Sequence, residues 1–106
     1  DRLLSTDDGS LGWRGNALDR LAALPEAELR AATLYACGPE ILLKRTALFA
    51  LERDIPCQVS LEAPFACGVG ICRGCAIPAA AHDGYLMCCS DGPVFDARDV
   101  RWEAMP

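Results

Sequence analysis

The sequence predicts an α/β chain in two parts: part of a parallel sheet with its crossover helix over residues 1–62, then a small loop-rich cysteine domain with short strands over residues 63–106. Three observations carry this. Apolar segments alternate as strand, helix, strand up to Leu61. After Glu62 the texture changes to Gly, Cys and Ala, with weak periodicity and no long helix. Most of the seven cysteines lie in that second part, where a metal centre can stabilise a domain too small to build a large core.

Taken in order, Arg2-Leu3-Leu4-Ser5 reads as the end of a strand begun upstream, and Thr6-Asp7-Asp8-Gly9-Ser10 as a turn-rich loop. Asn16 is placed to cap a helix whose apolar face is Leu18, Leu21 and Ala22, with Asp19 in the first turn where the helix dipole favours it. Pro25 and the Glu-rich residues after it end or kink that helix. Thr33-Leu34-Tyr35-Ala36-Cys37, closed by Gly38-Pro39, fits a buried parallel strand opening into a loop at its carboxyl end. A long helix follows, with Pro39 in its first turn, Glu40 at the positive dipole end, and Leu43, Ala47, Ala50 and Leu51 on its apolar face. Residues 55–61 alternate Cys57, Val59 and Leu61 with Gln58 and Ser60, the pattern of a strand with one buried face at a sheet edge. Strand, helix, strand implies a right-handed parallel crossover.

Composition excludes several classes. Ten basic against fifteen acidic residues give a net charge of −5, the wrong balance for nonspecific binding to nucleic acid. No apolar run approaches the roughly 20 residues a membrane span needs, and no export signal is present, so a cytoplasmic location is expected. Seven cysteines, an odd number, fit metal ligation better than a closed disulfide framework.

The stretch Cys67-Gly68-Val69-Gly70-Ile71-Cys72-Arg73-Gly74-Cys75 has the spacing C-x4-C-x2-C, the plant-type ferredoxin pattern for a [2Fe-2S] cluster. Gly68, Gly70 and Gly74 permit the positive dihedrals and close approach that wrapping around a cluster requires, and their amides can donate to sulfur. The fourth ligand is Cys88 or Cys89: if residues 85–89 are extended, the two thiols point to opposite faces, and periodicity does not choose between them. A structural zinc site in a noncatalytic interaction module is the competing reading, but zinc sites usually show two paired C-x2-C knuckles. His82, the sole histidine, fits a surface turn, and Cys57 a core position.

Three motifs in one order, Thr6-Asp7-Asp8-Gly9-Ser10, Tyr35-Ala36-Cys37-Gly38-Pro39-Glu40 and the cysteine loop ending in Cys89-Ser90-Asp91-Gly92-Pro93-Val94-Phe95, resemble the electron-transfer subunit of NAD-linked dihydroorotate dehydrogenase. The resemblance implies that residues 1–62 are the C-terminal part of a ferredoxin-reductase-like NAD-binding domain and residues 63–106 a [2Fe-2S] domain. It selects Cys89 as the last ligand beside Cys67, Cys72 and Cys75, leaving Cys88 as a small buried residue. It also implies that Cys37, Gly38 and Pro39 lie beside the nicotinamide, with Asp7 and Asp8 as further nucleotide contacts; for Cys37 the competing role is a small core residue before a helix start. FAD and NAD are implied for the full-length protein, and an FMN-containing catalytic subunit as partner in a hetero-oligomer of pyrimidine biosynthesis. The flavin barrel and the Gly-rich pyrophosphate turn are not found in these 106 residues, so the chain is not expected to be active alone, and no residue in it is assigned as catalytic. A related reductase subunit of another iron-sulfur flavoprotein complex is the alternative.

Overall fold

The computed structural model describes residues 2–105, which divide after Ala32 into two compact units. In the first, β1 (Ser5–Thr6) pairs in parallel with β2 (Trp13–Arg14), closed by the Gly15 amide donating to the Thr6 carbonyl at 2.9 Å. Of the expected strand region only its last residue, Ser5, is in β1, and Thr6 belongs to the strand rather than the loop. Helix α1 (Ala17–Ala22) starts as its cap dictates: the Asn16 side chain accepts from the Asp19 amide at 2.8 Å. It ends before Pro25, which begins a separate short helix α2 (Glu26–Arg30).

The second unit is built on a three-stranded sheet. Strands β3 (Leu34–Cys37) and β4 (Cys57–Ser60) are parallel, with Leu34 opposite Cys57 and Cys37 opposite Ser60, and helix α3 (Glu40–Glu52) makes the crossover. Pro39 occupies the N-cap of α3 rather than its first turn, where its fixed φ still suits the start. Leu43, Ala47 and Ala50 are buried as predicted, but Leu51 faces out and Thr46 takes the inward place.

Two strand expectations need correction. The strand at 33–37 is parallel but not buried on both faces: Tyr35 is 75% exposed and Cys37 is exposed, so the run is inward at alternate positions only. Strand β4 is central, not at an edge, because β7 (Val94–Asp96) pairs antiparallel on its free side with Val59 opposite Phe95. Three residues with one buried side chain carry no period from which β7 could be read.

Beyond β4, a hairpin-like pair forms from β5 (Ala76–Pro78) and β6 (Tyr85–Met87), and two single-turn 3₁₀ helices close the chain. Trp102 fills the core here, its indole N–H donating to the Ala97 carbonyl at 2.8 Å, so that burying the ring leaves no unpaired donor. Among the described residues no helix is long and apolar enough to cross a membrane.

Candidate metal centre

Residues 61–75 contain no strand or helix, and two glycines bend them: Gly68 and Gly70 adopt φ of 71° and 83°. The third left-handed residue is Arg73, at φ 61°, rather than the expected Gly74. A non-glycine residue there costs about 1 kcal/mol, which the surrounding loop must offset. Gly74 is used for its backbone instead: its amide donates to Cys72 Sγ at 3.4 Å.

The loop turns its amides onto its own sulfurs. Val69 and Cys72 donate to Cys67 Sγ at 3.4 and 3.5 Å, and from the far side of the site the Cys89 amide donates to Cys75 Sγ at 3.4 Å. The Cys72 thiol acts on Cys67, the Cys75 thiol acts on Cys89, and charge on Cys67 is felt at Cys89, so the four sulfurs share one electrostatic neighbourhood. Among the described residues no three His, Cys, Asp or Glu side chains converge tightly enough to hold a single metal ion. Four neighbouring thiols, three of whose sulfurs accept backbone amides, match the donor set of a cluster with two irons and four thiolate ligands. The cysteines therefore fit such a group.

The electrostatics differ across the site. Amide donation from Cys72 and Val69, helped by the Cys72 thiol, holds the Cys67 thiol down to about 6, so it is largely thiolate at neutral pH. Burial, then the Cys75 thiol beside it, pushes Cys89 up, and burial followed by the negative charge of Cys75 and Cys89 raises Cys88. Cys57, buried at the start of β4, is raised first by desolvation and then by the charge of Asp96.

The choice between Cys88 and Cys89 does not follow from strand alternation, because β6 ends at Met87 and residues 88–91 form a turn. Cys88 donates its amide to the Cys75 carbonyl at 3.2 Å and is 3% exposed, whereas Cys89 is half-buried beside Cys75. The turn is closed by Asp91, which was not singled out by spacing or periodicity. The signals for it are the turn-forming Asp-Gly pair and its place in the Cys89-Ser90-Asp91-Gly92-Pro93 motif.

The other candidates lie elsewhere. Cys37 ends β3 with its side chain exposed, which removes the core role, and Gly38 follows at φ 146° before α3. Asp8 accepts from the Ser10 amide at 2.9 Å, which holds its carboxyl below the usual range, and Asp7 is exposed in the same turn of the first unit. His82 is exposed in a bend.

Residues 62–101 match the model of the iron-sulfur cluster binding domain of dihydroorotate dehydrogenase B. The chain is 38% identical over 104 residues to the dihydroorotate dehydrogenase B (NAD(+)) electron transfer subunit of Desulforamulus reducens, covering 95% of this chain and 39% of that protein. It is 46% identical over 92 residues to the probable counterpart of Methanopyrus kandleri, covering 87% of this chain and 33% of the relative. A solved NADH-dependent reduced ferredoxin-NADP oxidoreductase, described in connection with flavin-based electron bifurcation, superposes with a TM-score of 0.75 at 30% identity over 95% of this chain and 35% of its own. The chain thus spans little more than a third of the length of the proteins it matches.

Proposed function

Since this chain belongs to the family of dihydroorotate dehydrogenase B electron transfer subunits, we propose that it is the part of such a subunit that holds a [2Fe-2S] cluster, with Cys67, Cys72, Cys75 and Cys89 as ligands. The observation that carries the reading is the set of backbone amides turned onto the sulfurs of Cys67, Cys72 and Cys75 within the matched segment. When bound, the cluster supplies one-electron transfer between the FMN of a catalytic subunit and the FAD of the full-length subunit, which passes a hydride to NAD as dihydroorotate is oxidised to orotate in pyrimidine biosynthesis.

The chain's own residues set the conditions for that relay. The amides of Val69, Cys72, Gly74 and Cys89 stabilise negative charge on sulfur, which raises the tendency to accept an electron. Val69 and Ile71, the latter 81% exposed, give the loop an apolar rim with nearby Phe65, the kind of surface on which the FMN-containing subunit can dock and exclude water. Functionally we divide the chain at residues 62/63, with the nucleotide part before and the cluster domain after, although β7 returns to pair with β4. In the nucleotide part, Cys37, Gly38 and Pro39 stand at the carboxyl end of a parallel strand, where such sheets receive ligands, and Asp7 and Asp8 are further candidates for the nucleotide. A cytoplasmic setting belongs to the same proposal, on the odd cysteine count and the metal-ligand spacing.

Anaerobic purification followed by iron, sulfide and zinc analysis tests the reading. It expects about two irons and two labile sulfides per chain with visible absorbance. One zinc per chain and no visible absorbance would instead establish the zinc-stabilised interaction module.

A further inference from the structure

Two neighbouring cysteines stand at the same corner of the site, and the backbone alone does not say why only one should serve. The answer lies in a bracket around them. The Met87 amide donates to Asp91 Oδ2 at 2.6 Å, and the Asp91 amide donates back to the Met87 carbonyl at 2.7 Å. These reciprocal bonds close residues 87–91 into one turn, with Cys88 and Cys89 inside it.

Each neighbour of the turn removes a degree of freedom. On one side, the Cys88 amide is tied to the Cys75 carbonyl, continuing the β5–β6 ladder and burying the Cys88 thiol at 3% exposure. On the other, Gly70 lies so close that a Cβ there would approach Ser90 Oγ to 2.6 Å, so the ligand loop rests directly on the turn. A side chain at Gly92 would run into the Phe95 ring and approach the Cys88 carbonyl to 3.2 Å, so the chain leaving the turn is packed closely against Phe95 and Cys88. With these contacts made, Cys89 is the residue whose amide and thiol meet Cys75.

We propose that Asp91 is the positioning residue that decides which of the paired cysteines becomes the fourth ligand, by locking the 87–91 turn with Cys89 toward the site and Cys88 into the core. This rests on the cluster reading above, but the placement of the two thiols can be measured without a cluster. Ala at position 91 removes the acceptor and frees the turn. Asn keeps an oxygen that accepts from the Met87 amide, and so separates the hydrogen bond from the charge.

The test compares wild type, Asp91→Ala and Asp91→Asn in two ways, with far-UV circular dichroism as a check that the fold survives. In the cluster-carrying protein isolated anaerobically, Asp91→Ala should lose its visible absorbance to a chelator at least about tenfold faster than wild type, as expected for removal of a charge-assisted hydrogen bond. In the cluster-free protein, iodoacetamide should label Cys89 about tenfold faster than Cys88 in wild type, and the ratio should fall to about one in Asp91→Ala. Asp91→Asn should stay within about threefold of wild type in both. The inference requires both changes: either one remaining at the wild-type value in Asp91→Ala overturns it, as does an Asn variant that behaves like Ala. If wild-type protein carries no iron, the cluster reading fails, and the labelling ratio alone decides the role of Asp91.

Discussion

At the scale of single residues, the four thiols are not equivalent, and the inequality comes from which amides face which sulfur. Cys67 accepts from two loop amides and carries a thiol held near about 6 against an ordinary value of 9.0, while Cys89 and Cys88 move the other way. A thiol whose folded value is depressed contributes fully above its unfolded value of about 9, and the contribution is lost as pH falls through about 6. A ligand already deprotonated at neutral pH also releases fewer protons when metal binds. In cluster-free protein we therefore expect Cys67 to react with iodoacetamide with a midpoint near about 6, and Cys88 and Cys89 to react only at alkaline pH. A Cys67 midpoint at or above 8 by mass spectrometry would remove the role given to the Val69 and Cys72 amides.

At the scale of elements, the strand–helix–strand unit was legible because each piece is long enough to show its period. Cys57, Val59 and Leu61 are all buried, as alternation required, and α3 buries Leu43, Ala47 and Ala50 at helical spacing. Leu51 misled because a pattern ranks positions without knowing where the neighbouring strand ends; it lies at the last turn, 38% exposed. The difference is measurable by urea denaturation. Leu43→Ala should cost about 2–5 kcal/mol, as for a fully buried leucine, and Leu51→Ala under about 1 kcal/mol. Equal costs would mean that α3 is rotated from the position described.

The short elements were not legible. Strands β5, β6 and β7 have three residues each, and what places them is pairing with partners distant in sequence, such as Phe95 with Val59. The metal site divides along the same line. The C-x4-C-x2-C spacing marks the loop of Cys67, Cys72 and Cys75 as the candidate site, because spacing is a local property of the chain. The left-handed Arg73 and the Met87–Asp91 bracket did not announce themselves, because any residue type can be forced by its surroundings and a two-bond turn leaves little trace in composition.

At the scale of the whole molecule, the uneven distribution of regular structure determines where a bound cluster matters most. The β3–α3–β4 unit has its own buried core, and its amides are satisfied by strand pairing and helix bonds. Residues 62–74 have neither; several of their amides bond to thiol sulfur, and Cys75, which follows them, is the one cysteine of the loop that is fully buried. A ligand that binds the folded form alone adds its binding free energy to stability, so the loop and the turn at 87–91 should be ordered by the cluster more than α3 is. Hydrogen exchange read before and after chelation checks this. The Val69, Cys72, Gly74 and Cys89 amides should lose at least about tenfold in protection, while Ala47 and Val59 change by less than about threefold. Each kcal/mol lost should lower the melting temperature of the second unit by about 4–8 °C, as for a domain of this size. If Ala47 and Val59 lose as much protection as the loop amides, the second unit folds only with its cluster, and the sheet does not stand on its own core.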